Sequence, residues 1–89
     1  MTEVAYVNGT FLPIDEATIS IEDRGFQFAD GVYEVVSTYG GRPYAMGAHM
    51  ERLQRSLHEI RIEFDVSGLP AVVQQGIERA GFDEALVYL

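Results

Sequence analysis

Two side chains carry the strongest chemical suggestions in this sequence. Arg52, in His49-Met50-Glu51-Arg52-Leu53, offers a planar guanidinium whose fork of N–H donors suits a phosphate, a group that needs several donors at once. The competing reading is a solvated arginine, since most charged helix residues face water. Tyr33, in Asp30-Gly31-Val32-Tyr33-Glu34, carries a phenol able to donate or accept a hydrogen bond. Its competing reading is an ordinary half-buried strand tyrosine. Other chemistries find less support. His49 and His58 are nine residues apart, which puts them on opposite faces of a helix and argues against a metal site. The acidic pairs Glu22-Asp23 and Asp83-Glu84 sit at turns with no cleft between them, unlike a glycosidase pair. No G-x-G-x-x-G or Walker-type loop exists, because Gly40-Gly41 is a hairpin turn with no helix immediately after it. All six basic residues are arginines. Without lysine, Schiff-base chemistry within these residues is ruled out.

The elements that must position these groups follow from periodicity. Tyr6-Val7 and Thr10 to Pro13 flank Asn8-Gly9, a hairpin signal because both turn residues tolerate φ > 0, so strands are expected near 4–7 and 10–13. Thr18-Ile19 could form a further extended piece. Asp23-Arg24-Gly25 and Asp30-Gly31 mark turns. The second opens onto Val32 to Tyr39, a β-branched and aromatic run that reads as a strand with Tyr33 at its mouth. Gly40-Gly41 then returns the chain as a strand near 42–46, giving two hairpins in one antiparallel sheet. From Gly47 the period changes from two to 3.6. Met50, Leu53, Leu57 and Ile60 share one stripe of a helix near 48–60, with Arg52 on its flank beside His49 and Ser56 and with Glu51 spaced to pair with Arg55. A second helix near 69–80 has Ser67 as candidate N-cap, Pro70 in its first turn and Gly81 as its stop. Ala85 to Leu89 reads as a last strand. The expected fold is α+β, a small antiparallel sheet packed by two helices, with Phe28, Val35, Leu53, Leu57, Ile60, Val73 and Ile77 in the core.

Composition bounds the rest. At 89 residues the chain is one small domain, able to bury roughly 60–65% of its unfolded surface. With 47% hydrophobic and 22% charged residues it is globular in composition, and no apolar run approaches the ~20 residues of a bilayer span. A net charge of −8 would repel phosphate backbones, so nucleic acid is not an expected partner, nor is a membrane. The start Met1-Thr2-Glu3-Val4-Ala5 lacks the features of a signal peptide, and the chain has no cysteine. Both favour a cytoplasmic location.

Several linked segments, in order, carry a resemblance that spans nearly the whole chain: Tyr6-Val7-Asn8-Gly9, Glu22-Asp23-Arg24-Gly25-Phe26-Gln27-Phe28, Asp30-Gly31-Val32-Tyr33-Glu34-Val35, and His49-Met50-Glu51-Arg52-Leu53 through Ile60-Arg61-Ile62. The sequence resembles the N-terminal domain of fold-type IV pyridoxal-phosphate (PLP) enzymes, above all the D-amino-acid (D-alanine) aminotransferases. The resemblance implies that Arg52 holds the cofactor phosphate and that Tyr33 helps hold the substrate carboxylate. It implies a homodimeric transaminase that moves an amino group between a D-amino acid and a 2-oxo acid, with residues 1–89 as the small domain of a longer chain. No catalytic residue is expected here, because in such enzymes the Schiff-base lysine, the acid facing the pyridine nitrogen and an Arg/His carboxylate-binding segment lie beyond the equivalent of Leu89. The piece alone is expected to be inactive. Ala29 stands where relatives often have glycine. Branched-chain aminotransferases tend to differ in the Val-Tyr-Glu segment, and aminodeoxychorismate lyases lack this tyrosine pattern. A noncatalytic, free-standing α+β interaction module is the alternative from another class.

Overall fold

The computed structural model describes all of Met1–Leu89. It begins with a hairpin, β1 (Val4–Val7) and β2 (Thr10–Pro13), turned by Asn8-Gly9 with φ of 49° and 88°. A 3-10 turn (Ile14–Glu16) follows, then a short helix α1 (Arg24–Phe28). Strand β3 (Val35–Tyr39) and the two-residue β4 (Arg42–Pro43) lead to the long helix α2 (Met46–Glu59). A second 3-10 turn (Val66–Gly68), helix α3 (Leu69–Ala80) and strand β5 (Ala85–Tyr88) complete the chain.

The α+β class holds, but the single expected sheet is two. The hairpin β1-β2 stands apart, and β4-β3-β5 forms an antiparallel three-stranded sheet. Strand β3 is central, with β4 on one edge and β5 on the other, and the hairpin pairs with neither outer edge. The hairpin instead docks on α3. Thr2 N donates to Ala80 O at 2.9 Å, and the Arg79 guanidinium lies 4.5 Å from the centre of the Phe11 ring.

Local corrections follow the same logic. Asp23-Arg24-Gly25 is a helix start and not a simple turn, since the Asp23 side chain caps α1 by accepting from Phe26 N. Ala29 ends that helix in the left-handed region (φ 60°), which explains why a glycine would be at ease there. Thr18-Ile19 forms no strand. The return strand is two residues long, shorter than the expected 42–46, and α2 begins at Met46. Ser67 is no cap for α3; its own N–H is held by Asp65, and Gly68 takes the N-cap position without a side-chain bond. Glu51 and Arg55 form no ion pair, and both remain exposed.

The core lies on the inner face of α2, against the second 3-10 turn and the chain just outside β3 and β5. Met50, Leu53, Leu57 and Val66 form its centre, with Val32, Met46, Leu69 and Leu89 packed against them. Val36, Val73 and Ile77 are buried as well. Thr38, 1% exposed, is satisfied by Ala85 N–H donating to its Oγ1 at 2.9 Å. Three expected core residues are not in it: Ile60 and Phe28 are exposed and Val35 is only half-buried. Each is apolar by type, but none is packed on all sides. Only nine of the 89 residues are buried, while Tyr33, Leu86, Tyr88, Phe26 and Phe28 are each more than 60% exposed. The 89-residue chain made alone is therefore expected to bind an apolar dye such as ANS and to self-associate. Sedimentation checks this; a dye-silent, monodisperse monomer would contradict it.

Candidate functional site

Strand parity organises the site. Side chains alternate across a strand, so Glu34, Val36 and Thr38 share the inner face, and all three are buried. Tyr33 points the other way and is 64% exposed. The strand itself begins at Val35, later than the expected 32. Glu34 nevertheless continues the ladder, exchanging backbone hydrogen bonds with Leu89 at 2.9 and 2.8 Å. Its backbone is thus fixed by β5 while its carboxylate turns inward to α2.

On α2, His49 and Arg52 are three residues apart and so are neighbours on one face. Both reach Glu34. Arg52 donates from Nε to Oε2 at 2.7 Å and from Nη2 to Oε1 at 2.8 Å, a two-point grip. His49 Nδ1 lies 2.6 Å from the same Oε1. The Glu34 residue is 4% exposed, whereas the Arg52 side chain is 59% exposed. The Glu34 carboxyl is lowered from 4.5 to about 2, chiefly by the Arg52 hydrogen bond; burial opposes this, and His49 adds to it. Glu34 is therefore ionised at neutral pH. An ionised carboxylate only accepts, so His49 Nδ1 must carry the hydrogen. Arg52 is raised above its ordinary value, first by hydrogen bonding with Glu34, then by that residue's charge and, after a small opposing effect of burial, by Tyr33.

Glu34 is the residue that sequence reasoning missed. Arg52 was expected beside His49 and Ser56; it meets His49 through a shared carboxylate on another element. Of the guanidinium's five N–H donors, two are spent on Glu34, which leaves three on the outer side. Tyr33 lies on the opposite face of its strand from Glu34 and stacks on Tyr88, ring centres 5.7 Å apart and planes 5° from parallel. Register explains the pair, because Tyr88 faces Val35, two residues on from Tyr33 and on the same side. The stack holds the ring and leaves the hydroxyl without an intramolecular partner. No three His, Asp or Glu side chains converge as metal ligands. A hollow of about 1030 Å³, lined mostly by apolar residues such as Val4, Leu57, Leu69, Ile77 and Leu86, does not include Arg52. No helix is long and apolar enough to cross a membrane.

This arrangement can hold an anion with the outer edge of Arg52 and offer a phenol nearby. The family model for class IV aminotransferases matches residues 31–89, the stretch that contains Tyr33, Glu34, His49 and Arg52. The chain belongs to the class IV aminotransferase family. It is 35% identical to a D-alanine aminotransferase of Staphylococcus haemolyticus over 91 residues, covering 100% of this chain and 32% of that protein. A D-alanine aminotransferase of Staphylococcus epidermidis is 40% identical over 65 residues, 73% of this chain and 23% of the relative. One of Listeria monocytogenes is 36% identical over 85 residues, 93% of this chain and 29% of the relative. The class IV aminotransferase chain thus spans about a third or less of the length of the curated relatives it matches.

Proposed function

We propose that residues 1–89 are the N-terminal small domain of a longer, cytoplasmic, homodimeric transaminase. In this reading it moves an amino group between a D-amino acid, D-alanine foremost, and a 2-oxo acid, with pyridoxal 5'-phosphate as cofactor. The observation that carries the reading is the Arg52 fork, gripped on one edge by a buried carboxylate and open on the other. The names of the relatives supply the substrate class.

The donor set fits a phosphate. A bidentate guanidinium matches two phosphate oxygens, and the Glu34 grip leaves the required N–H groups facing out. In the working enzyme Arg52 anchors the cofactor phosphate, and Tyr33 donates its hydroxyl to the substrate carboxylate from the opposite side of the strand mouth. When bound, pyridoxal phosphate supplies the electron sink for bond breaking at the substrate α-carbon. The chain has no lysine, so the amine that bonds the cofactor and moves the proton comes from outside these residues.

The test is transamination by the full-length protein, with D-alanine and with L-branched-chain amino acids as donors to a 2-oxo acid. Activity with D-alanine is expected to exceed that with the L-amino acids, and Tyr33→Phe should lower kcat/KM for D-alanine by about 5- to 150-fold with cofactor content nearly unchanged. A preference for the L-donors would contradict the substrate class. Unchanged kinetics in Tyr33→Phe across several D-amino acids would return Tyr33 to the role of a stacked strand tyrosine.

A further inference from the structure

A long arginine on a helix flank, 59% exposed, has many rotamers open to it. Something must choose among them if its outer edge is to meet an anion in a fixed place. Glu34 has the means: a backbone pinned between two hydrogen bonds to Leu89, a side chain buried against α2, and two oxygens that accept from two different nitrogens of one guanidinium. His49 braces the same carboxylate from the preceding helical turn, so that the carboxylate is itself held and cannot swing with the arginine. Three contacts thus converge on the buried carboxylate, while the exposed Arg52 keeps three N–H groups unspent.

We propose that Glu34 is a positioning residue for anion binding: by gripping Arg52 at two points, with His49 as brace, it presents the arginine's outer N–H groups to the cofactor phosphate. The inference rests on the reading of Arg52 as the phosphate anchor. Two effects of Glu34 oppose one another here. Its negative charge partly cancels that of Arg52 and by itself weakens anion binding, while its geometry preorganises the donors and strengthens it. The proposal is that geometry dominates. Substitution separates the two, since Glu34→Gln removes the charge and one acceptor, whereas Glu34→Asp keeps the charge and withdraws the carboxylate by one methylene.

The experiment titrates the full-length apoprotein with pyridoxal phosphate and with pyridoxal, which lacks the phosphate, for the parent, Glu34→Gln, Glu34→Asp, Arg52→Ala and the Glu34→Gln/Arg52→Ala double variant. Each is titrated well below its melting temperature. The ratio of the two affinities isolates the phosphate contribution from general damage to the fold. Both Glu34 variants should lower this ratio by about tenfold or more, the scale at which partners of ligand-holding side chains act. Pyridoxal affinity should be nearly constant, and in the Arg52→Ala background Glu34→Gln should lower the ratio no further. Tighter phosphate binding in Glu34→Gln with no change in Glu34→Asp would show that charge, not position, is the role of Glu34, and would overturn the proposal. Equal losses for both ligands, or the same loss in the Arg52→Ala background, would overturn it as well. If Arg52→Ala itself leaves the ratio unchanged, the anchor reading fails; if Arg52→Ala collapses the ratio and the Glu34 variants do not, only the positioning role fails.

Discussion

Replacing Glu34 by glutamine should flatten the acid limb of the stability profile. The Glu34 carboxyl is lowered from 4.5 to about 2 in the folded chain, with the Arg52 hydrogen bond as the largest cause. A lowered acid contributes stability that is fully present above its unfolded value, near 4.5, and is lost as pH falls through its folded value, near 2. The stabilisation is thus complete at neutral pH and declines across the window between those two values. One pKa unit corresponds to about 1.4 kcal/mol. Water screening at the half-exposed Arg52 reduces the gain, so the expected contribution of Glu34 is on the order of 1–3 kcal/mol. Urea unfolding of the full-length parent and Glu34→Gln at several pH values between 6 and 2.5 measures it. Other carboxylates titrate in both proteins and cancel in the difference. The stability gap should shrink as pH falls below about 4.5, toward the fixed effect of the substitution itself. A gap that is constant over the whole range would mean that the Glu34 ion pair carries no net linkage to protons.

Much of the fold was legible because local signals agreed with one another. Helix α3 matches the expected 69–80 at both ends: Pro70 fits the first turn, Gly81 provides the left-handed stop (φ 77°), and Val73 and Ile77 form the buried stripe between them. The Asn8-Gly9 hairpin is similarly overdetermined, with turn residues and flanking apolar runs pointing to one structure. The failures share a cause, which is that residue type does not say what covers a side chain. Phe28 and Ile60 have core chemistry but are not packed on all sides, and Glu51-Arg55 has the spacing of an ion pair without the contact. Joining of strands into one sheet was likewise a tertiary decision, made when β5, from the end of the chain, took the free edge of β3.

Glu34 is the most instructive omission. Period-two reading of Val32 to Tyr39 already places Glu34 on one face between Val32 and Val36, where an acid is conspicuous. A buried carboxylate calls for cationic partners. The sequence held two at helical spacing, His49 and Arg52, but nothing short of the packing of α2 on the sheet joins them to Glu34. Arg52 and Tyr33 could be singled out beforehand by type and position, and the resemblance then supplied their roles. Their geometry adds what resemblance lacked: the arginine is held on its inner edge, and the phenol is stacked with its hydroxyl free.

The phosphate role proposed for Arg52 is tested by the pyridoxal phosphate dissociation constant of the full-length protein in Arg52→Ala. An interfacial charge pair of this kind typically loses a factor of about 30 to 1,000 in affinity on truncation, and that loss is expected here. Arg52→Lys should not restore it. A lysine keeps the charge but cannot grip Glu34 at two points while offering a planar fork outward. Arg55 is the control, one turn along the same helix, exposed, and without an ion-pair partner. A large loss is expected for Arg52→Ala and an affinity close to that of the parent for Arg55→Ala; equal losses in the two variants would contradict a phosphate anchor at Arg52.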